Sequence, residues 1–332
     1  MERRNSKAFI HIGMPKTGTT ALQVFFSNNI KNLKVDGVDY PEFFTPDIGN
    51  ATSIVGPMVP NGPVLPCPPF TMEMLDGYLA RAESDILLSS EWFICLDIKA
   101  LNGFKEILEK YHFEPIIICY IRRRDKELQS RYCQSFKYKK IDYKCDELVI
   151  HQNYVNTLNK FSSVFKKNNI IVKCHEKDNF LGGNIFSDFH KISNIEDLSP
   201  YDLPEKKINA SPPRHFVNFF RICNKYFDLP DDFRNILIRV GEELGANSQE
   251  GEVSWLSPKI RIEVLKDFEA ADKRIASDYL NKKDGSLFNE PWPDIDDDWK
   301  DPYVTDGEDV IRSIVPLLLD LHKQIVELKT NK

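Results

Sequence analysis

Four short apolar runs in the first 174 residues constrain the fold of this chain more than any other feature of its sequence. Each is rich in isoleucine, leucine or valine with little polar alternation, and they are AFIHI (8–12), DILLS (85–89), PIIICYI (115–121) and NIIVKC (169–174). Runs of this kind are typical of strands that are covered on both faces. We therefore predict that these segments are the buried strands of one sheet.

Segments with the apolar spacing of helices follow or precede these runs. They are TALQVFFSNNI (20–30), KALNGFKEILEKY (99–111), DKELQSRYCQSFKY (125–138) and YVNTLNKFSSVFKK (154–167). Alternation of strands and helices indicates right-handed βαβ units. The predicted fold class is α/β, with a central parallel β-sheet flanked by helices.

The rest of the chain reads differently. Residues 41–70 contain eight prolines and little periodicity, which predicts an irregular excursion such as a lid or part of a cleft. Four helical patterns follow, at 212–227, 231–244, 257–280 and 307–328, with an acidic loop at 283–309. Since no clear linker divides the chain, we expect one domain over 1–332 with helical additions over 205–332.

The last helical pattern has an apolar face that packs either internally or on a partner. Its residues are Val310, Ile311, Ile314, Leu317, Leu318 and Leu321. The sequence does not predict an oligomeric state.

Charge and cysteine content exclude several classes of protein. The formal net charge of −6 argues against a general nucleic-acid surface, which needs a basic field. The seven cysteines form no C-x-x-C pair, so neither disulfides nor structural zinc are expected and a reducing compartment fits.

The N-terminus lacks the apolar stretch of a signal peptide, and no segment approaches the ~18 apolar residues of a membrane span. We therefore expect a cytoplasmic protein.

The first apolar run leads into a turn that has the layout of a phosphate-binding loop, FIHIGMPKTGTTALQVFF (9–26). A Walker A loop reads G-x-x-x-x-G-K-[ST]. Gly13 and Gly18 keep that spacing, but Thr19 follows the second glycine and the lysine lies inside the turn, at Lys16. The late lysine of nucleoside triphosphatases serves Mg²⁺ and a γ-phosphate, so its displacement favours a smaller phosphate group without a metal.

The helix that starts near Thr17 directs free backbone N–H groups and the positive end of its dipole into the turn. PKTGTT after a β-strand resembles the 5′-phosphosulfate-binding loop of sulfotransferases, which use 3′-phosphoadenosine 5′-phosphosulfate (PAPS). The resemblance implies that Lys16, Thr17, Gly18, Thr19 and Thr20 bind the phosphosulfate. The alternative is a Gly/Thr-rich turn without a ligand.

The same family carries an arginine at the end of a parallel strand and a serine eight residues later, which bind the 3′-phosphate of PAPS. In YIRRRDKELQSRYCQ, Arg122 ends the apolar run and Ser130 lies eight residues further on. The resemblance implies this role for both, with Arg123 and Arg124 less suited. The alternatives are a solvated basic patch and a helix-surface serine.

Weaker signs extend the resemblance to bacterial sulfotransferase-like proteins over residues 8–225. They are a strand with a Gly-Gly helix start, NIIVKCHEKDNFLGGNIFSDFHKI, and an N-x-S segment in INASPPRHFVNFFRICN. The R-K-G segment of animal cytosolic sulfotransferases is not evident. Asn209, Ser211 and Arg214 are candidates for closing the far side of the nucleotide.

The candidate general base is Glu91 in LLSSEWF (87–93), just past the end of a predicted strand. Ligands of open α/β sheets gather at that edge, and in sulfotransferases a His or Glu base comes from it. Alternatively, Glu91 stabilises the start of a helix. His11 is expected to be a core histidine, and His175, after the fourth run, is a second candidate base.

The resulting hypothesis is a PAPS-dependent sulfotransferase that needs no metal and transfers a sulfuryl group to an acceptor hydroxyl. Adenosine 3′,5′-bisphosphate would be the other product, and Lys16 would stabilise the charge on its leaving oxygen. The resemblance suggests a carbohydrate or glycolipid acceptor. Two alternatives stay open, a P-loop kinase or other nucleotide phosphotransferase that uses Mg²⁺, and a non-catalytic module that binds a nucleotide or a sulfated glycan.

Overall fold

The structure of the chain is a computed structural model with two compact units, which are described one at a time. The first unit comprises Met1–Arg123, Gln152–Pro204 and Phe268–Pro291, and the second comprises Arg124–His151, Glu205–Asp267 and Trp292–Lys332. The residues described are 6–41, 50–59, 72–138, 143–150, 153–193, 195, 197–204, 211–247, 254–304 and 306–330. The single domain over 1–332 stays a prediction.

A five-stranded, all-parallel sheet forms the centre of the first unit, in the order β2-β3-β1-β4-β5. Its strands are β1 Ser6–His11, β2 Val38–Asp39, β3 Asp85–Ser89, β4 Phe113–Ile121 and β5 Ile170–Cys174. The α/β class and the four predicted strands are confirmed. The two-residue edge strand β2 was not expected.

Helices cover the sheet and form the second unit. In chain order those of the described residues are α1 Thr19–Asn28, α2 Ile30–Val35, α3 Thr52–Val55, α4 Met72–Leu79, α5 Ile98–Lys110, α6 Arg124–Tyr138, α7 Tyr154–Val164, α8 Ile185–Ile192, α9 Arg214–Tyr226, α10 Asp231–Asn247, α11 Pro258–Leu280 and α12 Gly307–Thr330. The four helical patterns predicted after residue 205 are confirmed. Of the predicted excursion at 41–70, residues 42–49 and 60–71 lie outside the described residues, while 50–59 contain α3.

Alternating strand residues bury both faces of the sheet. In β1, Ala8 and Ile10 belong to an apolar cluster that includes residues of α5 and α7, whereas Phe9 belongs to one that includes residues of α1 and α8. A strand sends successive side chains to opposite faces, so apolar residues are needed at every position of a sheet covered on both sides. This explains why the strands read as unbroken apolar runs.

Polar side chains define where three of these helices begin. Asp97 accepts a hydrogen bond from the backbone of Ala100 at 2.8 Å at the start of α5. Asn153 and Asn184 accept equivalent bonds at the starts of α7 and α8. Each side-chain oxygen satisfies an N–H group that has no partner within the helix, and such caps contribute about 1 kcal/mol each.

The second unit has its own apolar core. Its largest members are Tyr132, Phe216, Phe220, Leu237, Trp255 and Leu317. These come from α6, α9, α10, α12 and the segment before α11, so this core is built mainly by helices. Among the described residues, no helix is both long and apolar enough to cross a membrane. The six cysteines that the structure describes are free thiols.

Candidate functional site

The candidate residues of the first unit meet at the carboxyl edge of the sheet. The loop after β1 begins at Gly13, Glu91 follows β3, Arg122 follows β4 and His175 follows β5. Strand β1 is central, with two strands on each side, and the chain crosses from one side to the other between β3 and β4. In open parallel sheets this reversal of strand order produces a crevice that holds ligands.

Two glycines give the loop its shape. Gly13 and Gly18 have φ values of +91° and +79°, in the left-handed region that side chains disfavour. A Cβ atom at Gly13 would lie 3.3 Å from Cγ of Glu91, and one at Gly18 would lie 3.1 Å from Cδ1 of Ile185. Neighbouring side chains therefore approach both glycines closely, and larger residues would be strained there.

Lys16 adopts the same left-handed conformation without being a glycine, with φ +69°. This conformation costs an L-residue roughly 1–2 kcal/mol, so surrounding contacts must hold it. One such contact is visible, since Nη1 of Arg122 donates a hydrogen bond to the Lys16 carbonyl at 3.0 Å. The arginine predicted to bind a phosphate is thus bonded to the loop that carries the predicted lysine.

The loop is also fixed to β4 by its backbone. The Met14 N–H donates to the Tyr120 carbonyl, and the Tyr120 N–H donates to the Gly13 carbonyl, both at 2.7 Å. The Met14 carbonyl accepts bonds from the hydroxyls of Thr17 at 2.5 Å and Thr19 at 3.3 Å. These two hydroxyl hydrogens therefore stabilise the turn, and the ligand-binding role of the two threonines stays a prediction.

The N-terminus of α1 has the features of an anion site. Gly18 is the N-cap residue and offers no side-chain cap, and the first turn carries no acidic residue. The first N–H groups of an α-helix lack partners within the helix and carry the positive end of its dipole. Lys16 and Thr20, both half-buried, lie next to this turn in the chain.

The three consecutive arginines have different surroundings. Arg122 is half-buried, and its carbonyl accepts a bond from the Tyr154 hydroxyl at 3.1 Å. Arg123 is 2% exposed and donates to the Glu290 carboxylate at 2.9 Å. In the second unit, buried Arg124 donates to Glu127 at 2.9 Å. The alternative of a solvated basic patch is therefore wrong for Arg123 and Arg124, which are buried and form ion pairs with a half-buried Glu290 and a buried Glu127.

Glu91 lies beside the loop and at the start of a short helix. It is half-buried and is the first residue of the 3₁₀ helix Glu91–Cys95, whose N-cap Ser90 accepts a bond from the Trp92 N–H at 3.2 Å. Its Cγ atom flanks Gly13, as given above. Glu91 therefore both starts a helix, as the alternative predicted, and lies beside the loop. A single residue can occupy both positions.

The two histidines occupy different environments. His11 is fully buried, its Nδ1 lies 2.8 Å from the Ser89 hydroxyl, and burial lowers its pKa to about 3. It is therefore neutral at physiological pH and enclosed in the core, as expected. His175 is half-buried, and its Nε2 lies 3.4 Å from the Cβ position of Gly18. Of the two, only His175 borders the loop.

A buried polar network behind the loop was not predicted. The Tyr120 hydroxyl donates to Asp188 at 2.8 Å, and Nζ of Lys173 donates to the same carboxylate at 3.1 Å. Burial raises the pKa of Tyr120, with the Asp188 charge as a second cause. The network anchors the strand residue whose backbone holds Gly13 and Met14. No sequence motif indicates this network, because a tyrosine within an apolar run is predicted to be an ordinary core residue.

The remaining predicted residues are not part of the first unit. Ser130 is half-buried on α6 of the second unit, which also contains Ser211 and Arg214, and Asn209 lies outside the described residues. Their roles stay predictions. Within the described ranges, no three His, Cys, Asp or Glu residues are grouped as a metal site would require.

Comparisons with known proteins assign no activity. No family model matches the chain, and no solved structure matches it. The chain is 25% identical over 213 residues to a protein of Archaeoglobus fulgidus named "Uncharacterized protein". The match covers 62% of this chain and 56% of the relative, so the chain spans little more than half of that protein's length. The inference of function therefore depends on the residues and geometry of the site.

Proposed function

We propose that this chain is a PAPS-dependent sulfotransferase with a P-loop-like sulfotransferase fold. It would transfer a sulfuryl group to an acceptor hydroxyl and release adenosine 3′,5′-bisphosphate. The observation that carries the proposal is the 3.0 Å bond from Arg122 to the Lys16 carbonyl. It brings a cation at the end of β4 next to a turn that already contains a cation, and two neighbouring cations suit a ligand with two separate anionic groups.

The residues at the loop fit a phosphosulfate group. The uncapped first turn of α1 supplies backbone donors, and Lys16 supplies positive charge. Glycine at position 18 allows the left-handed backbone of the turn, with φ +79°, where a Cβ atom would press against Ile185. Arg122 would bind the second anionic group, the 3′-phosphate, because its planar guanidinium suits a bidentate contact with phosphate.

One arginine can serve both the loop and the 3′-phosphate. A guanidinium presents five N–H donors in a plane, so a bond to the Lys16 carbonyl and a forked phosphate contact are compatible in one side chain. Arg122 would then hold the shape of the loop and bind the ligand. Ser130 is proposed to add a hydroxyl contact, as the resemblance implies.

When bound, PAPS would supply a sulfuryl group attached to a stable phosphate leaving group. The Lys16 ammonium would stabilise the negative charge that develops on the leaving oxygen. Glu91 would accept the proton of the acceptor hydroxyl at its carboxylate, and its position beside Gly13 favours this role. His175, which borders Gly18, is the alternative base.

The proposed acceptor is a hydroxyl of a carbohydrate or glycolipid, on the strength of the resemblance alone. No metal is required by the proposed chemistry. A cytoplasmic location suits a chain whose described cysteines are free thiols.

The test is turnover of PAPS labelled with ³⁵S in the presence of a panel of saccharides and glycolipids. We expect labelled sugar and an equal amount of adenosine 3′,5′-bisphosphate. Glu91→Gln should lower the amount of both by at least about a hundredfold while leaving binding of the bisphosphate intact, and Glu106→Gln, at an exposed position of α5, is the matched control. Binding of the bisphosphate with no turnover on any acceptor would instead favour a binding module, and a preference for Mg·ATP would favour a kinase.

A further inference from the structure

An exposed apolar stripe runs along α12 in the second unit. Five residues at alternating spacings of three and four define it, and we name it the outer seam. With their exposed fractions they are Ile311 60%, Ile314 37%, Leu318 58%, Leu321 36% and Ile325 50%. Val310, Val315 and Leu319 flank it and are 43%, 43% and 64% exposed.

The opposite side of α12 is anchored in the second unit. Leu317 is 6% exposed and belongs to the apolar core, and Ser313 is fully buried. Arg239 of α10 makes two bonds to the Asp320 carboxylate, at 2.8 and 2.6 Å. The helix is therefore held on its unit by other residues, and the outer seam is not needed for that attachment.

The spacing of the outer seam specifies what kind of surface would cover it. Apolar residues that alternate at three and four positions are the a and d positions of a coiled-coil heptad, which pack into the same pattern on another helix. From Ile311 to Ile325 the seam spans 15 residues, or about 21 Å of helix. No charged residue interrupts it.

We propose that the outer seam pairs with the outer seam of a second copy of this chain in an antiparallel helix contact. With a two-fold axis at Leu318, Ile311 of one copy faces Ile325 of the other. The first turn of α12 carries Glu308 and Asp309, so a parallel pair would place two acidic turns side by side. The antiparallel arrangement separates them and opposes the two helix dipoles.

The area of the face is sufficient for a stable dimer. Eight half-exposed apolar side chains offer roughly 500 Å² of apolar surface in each copy, if a full side chain contributes about 120 Å². Homodimer interfaces are about 65% apolar, which gives a total of about 1,500 Å² for both copies. Specific interfaces bury about 1,200–2,000 Å².

Sedimentation velocity of the full chain at micromolar concentration tests the proposal. We expect a dimer for the wild type and a monomer for Leu318→Glu, which puts a charge at the centre of the seam on a side chain that is already 58% exposed. Val35→Glu, at an 85% exposed position of α2, is the matched control and should remain dimeric. Circular dichroism of each variant verifies that it is folded.

Cysteine crosslinking tests the direction of the helices. Under mild oxidation Leu318→Cys should link to itself across the axis, whereas Ile311→Cys should link only when mixed with Ile325→Cys. Peptide mapping separates these products from any formed by the exposed native Cys95. Self-linking of Ile311→Cys would overturn the antiparallel arrangement. A monomeric wild type, a dimeric Leu318→Glu, or a monomer that binds phosphatidylglycerol vesicles would overturn the pairing itself.

Discussion

Arg122→Ala separates the observed contact of one side chain from the ligand-binding role that we propose for it. The substitution removes the 3.0 Å bond to the Lys16 carbonyl. A hydrogen bond from a charged donor contributes about 1.5–3 kcal/mol, and the lower end applies here because Arg122 is only half-buried. Without it, Lys16 would lose one contact that holds its left-handed backbone. We expect about tenfold weaker binding of any anion at the loop, which corresponds to about 1.4 kcal/mol.

A ligand with a 3′-phosphate should lose more. The proposed forked contact with that phosphate contributes at least another ~1.5 kcal/mol. The combined loss of about 3 kcal/mol corresponds to roughly 150-fold weaker binding of adenosine 3′,5′-bisphosphate. AMP, which has the 5′-phosphate alone, should lose only the tenfold contribution of the loop. The difference between the two ligands isolates the second role.

Isothermal titration of both ligands into the wild type, Arg122→Ala and Arg122→Lys measures these losses. Lysine keeps the charge but not the fork, so it should restore binding only in part. Arg81→Ala is the matched control, because Arg81 is exposed and precedes the amino end of β3. Equal losses for both nucleotides would refute the 3′-phosphate role, and bisphosphate binding within twofold of the wild type would refute both roles.

Three further predictions concern the base, the loop and the core. Glu91→Gln should lower turnover by at least about a hundredfold in a ³⁵S transfer assay, with bisphosphate affinity unchanged in a titration. Gly18→Ala should destabilise the protein by about 1–2 kcal/mol in urea unfolding and weaken bisphosphate binding, because its φ is +79° and the new Cβ would lie 3.1 Å from Ile185. His11 has a folded pKa of about 3 against 6.5 for an unperturbed histidine, so below pH 6.5 the unfolded chain binds a proton that the folded chain does not. The free energy of unfolding should therefore fall by about 2 kcal/mol between pH 7.5 and pH 5 because of this group alone. His11→Gln should remove that part of the pH dependence measured by urea unfolding. The same pH dependence in the variant as in the wild type would contradict this prediction.

Much of the fold is predictable from the sequence because of how a doubly covered parallel sheet selects residues. β1, β3, β4 and β5 need apolar side chains on both faces, so each appears as an unbroken apolar run. The two residues of β2 are too few to form any pattern. A chain of alternating strands and helices then leaves few arrangements other than a parallel sheet.

The site is predictable only as far as chain order and strand ends determine it. Glu91, Arg122 and His175 were expected at one edge because each follows a strand. The bond between Arg122 and Lys16 joins residues 106 positions apart, and no local pattern specifies it. Arg123 is buried, and its guanidinium donates a hydrogen bond to the carboxylate of Glu290, 167 positions away. From the sequence alone, a charged residue is predicted to be exposed, because such residues are rarely buried without a partner. Whether a partner is present depends on the tertiary structure.

The most direct test of the account is titration of the wild-type protein with adenosine 3′,5′-bisphosphate and, in parallel, with ADP and Mg²⁺. The proposed site predicts that the bisphosphate binds at least about tenfold more tightly, since the 3′-phosphate contact contributes at least ~1.5 kcal/mol. Tighter binding of Mg·ADP, or equal affinity with and without the 3′-phosphate, would contradict the sulfotransferase proposal and favour a nucleotide phosphotransferase.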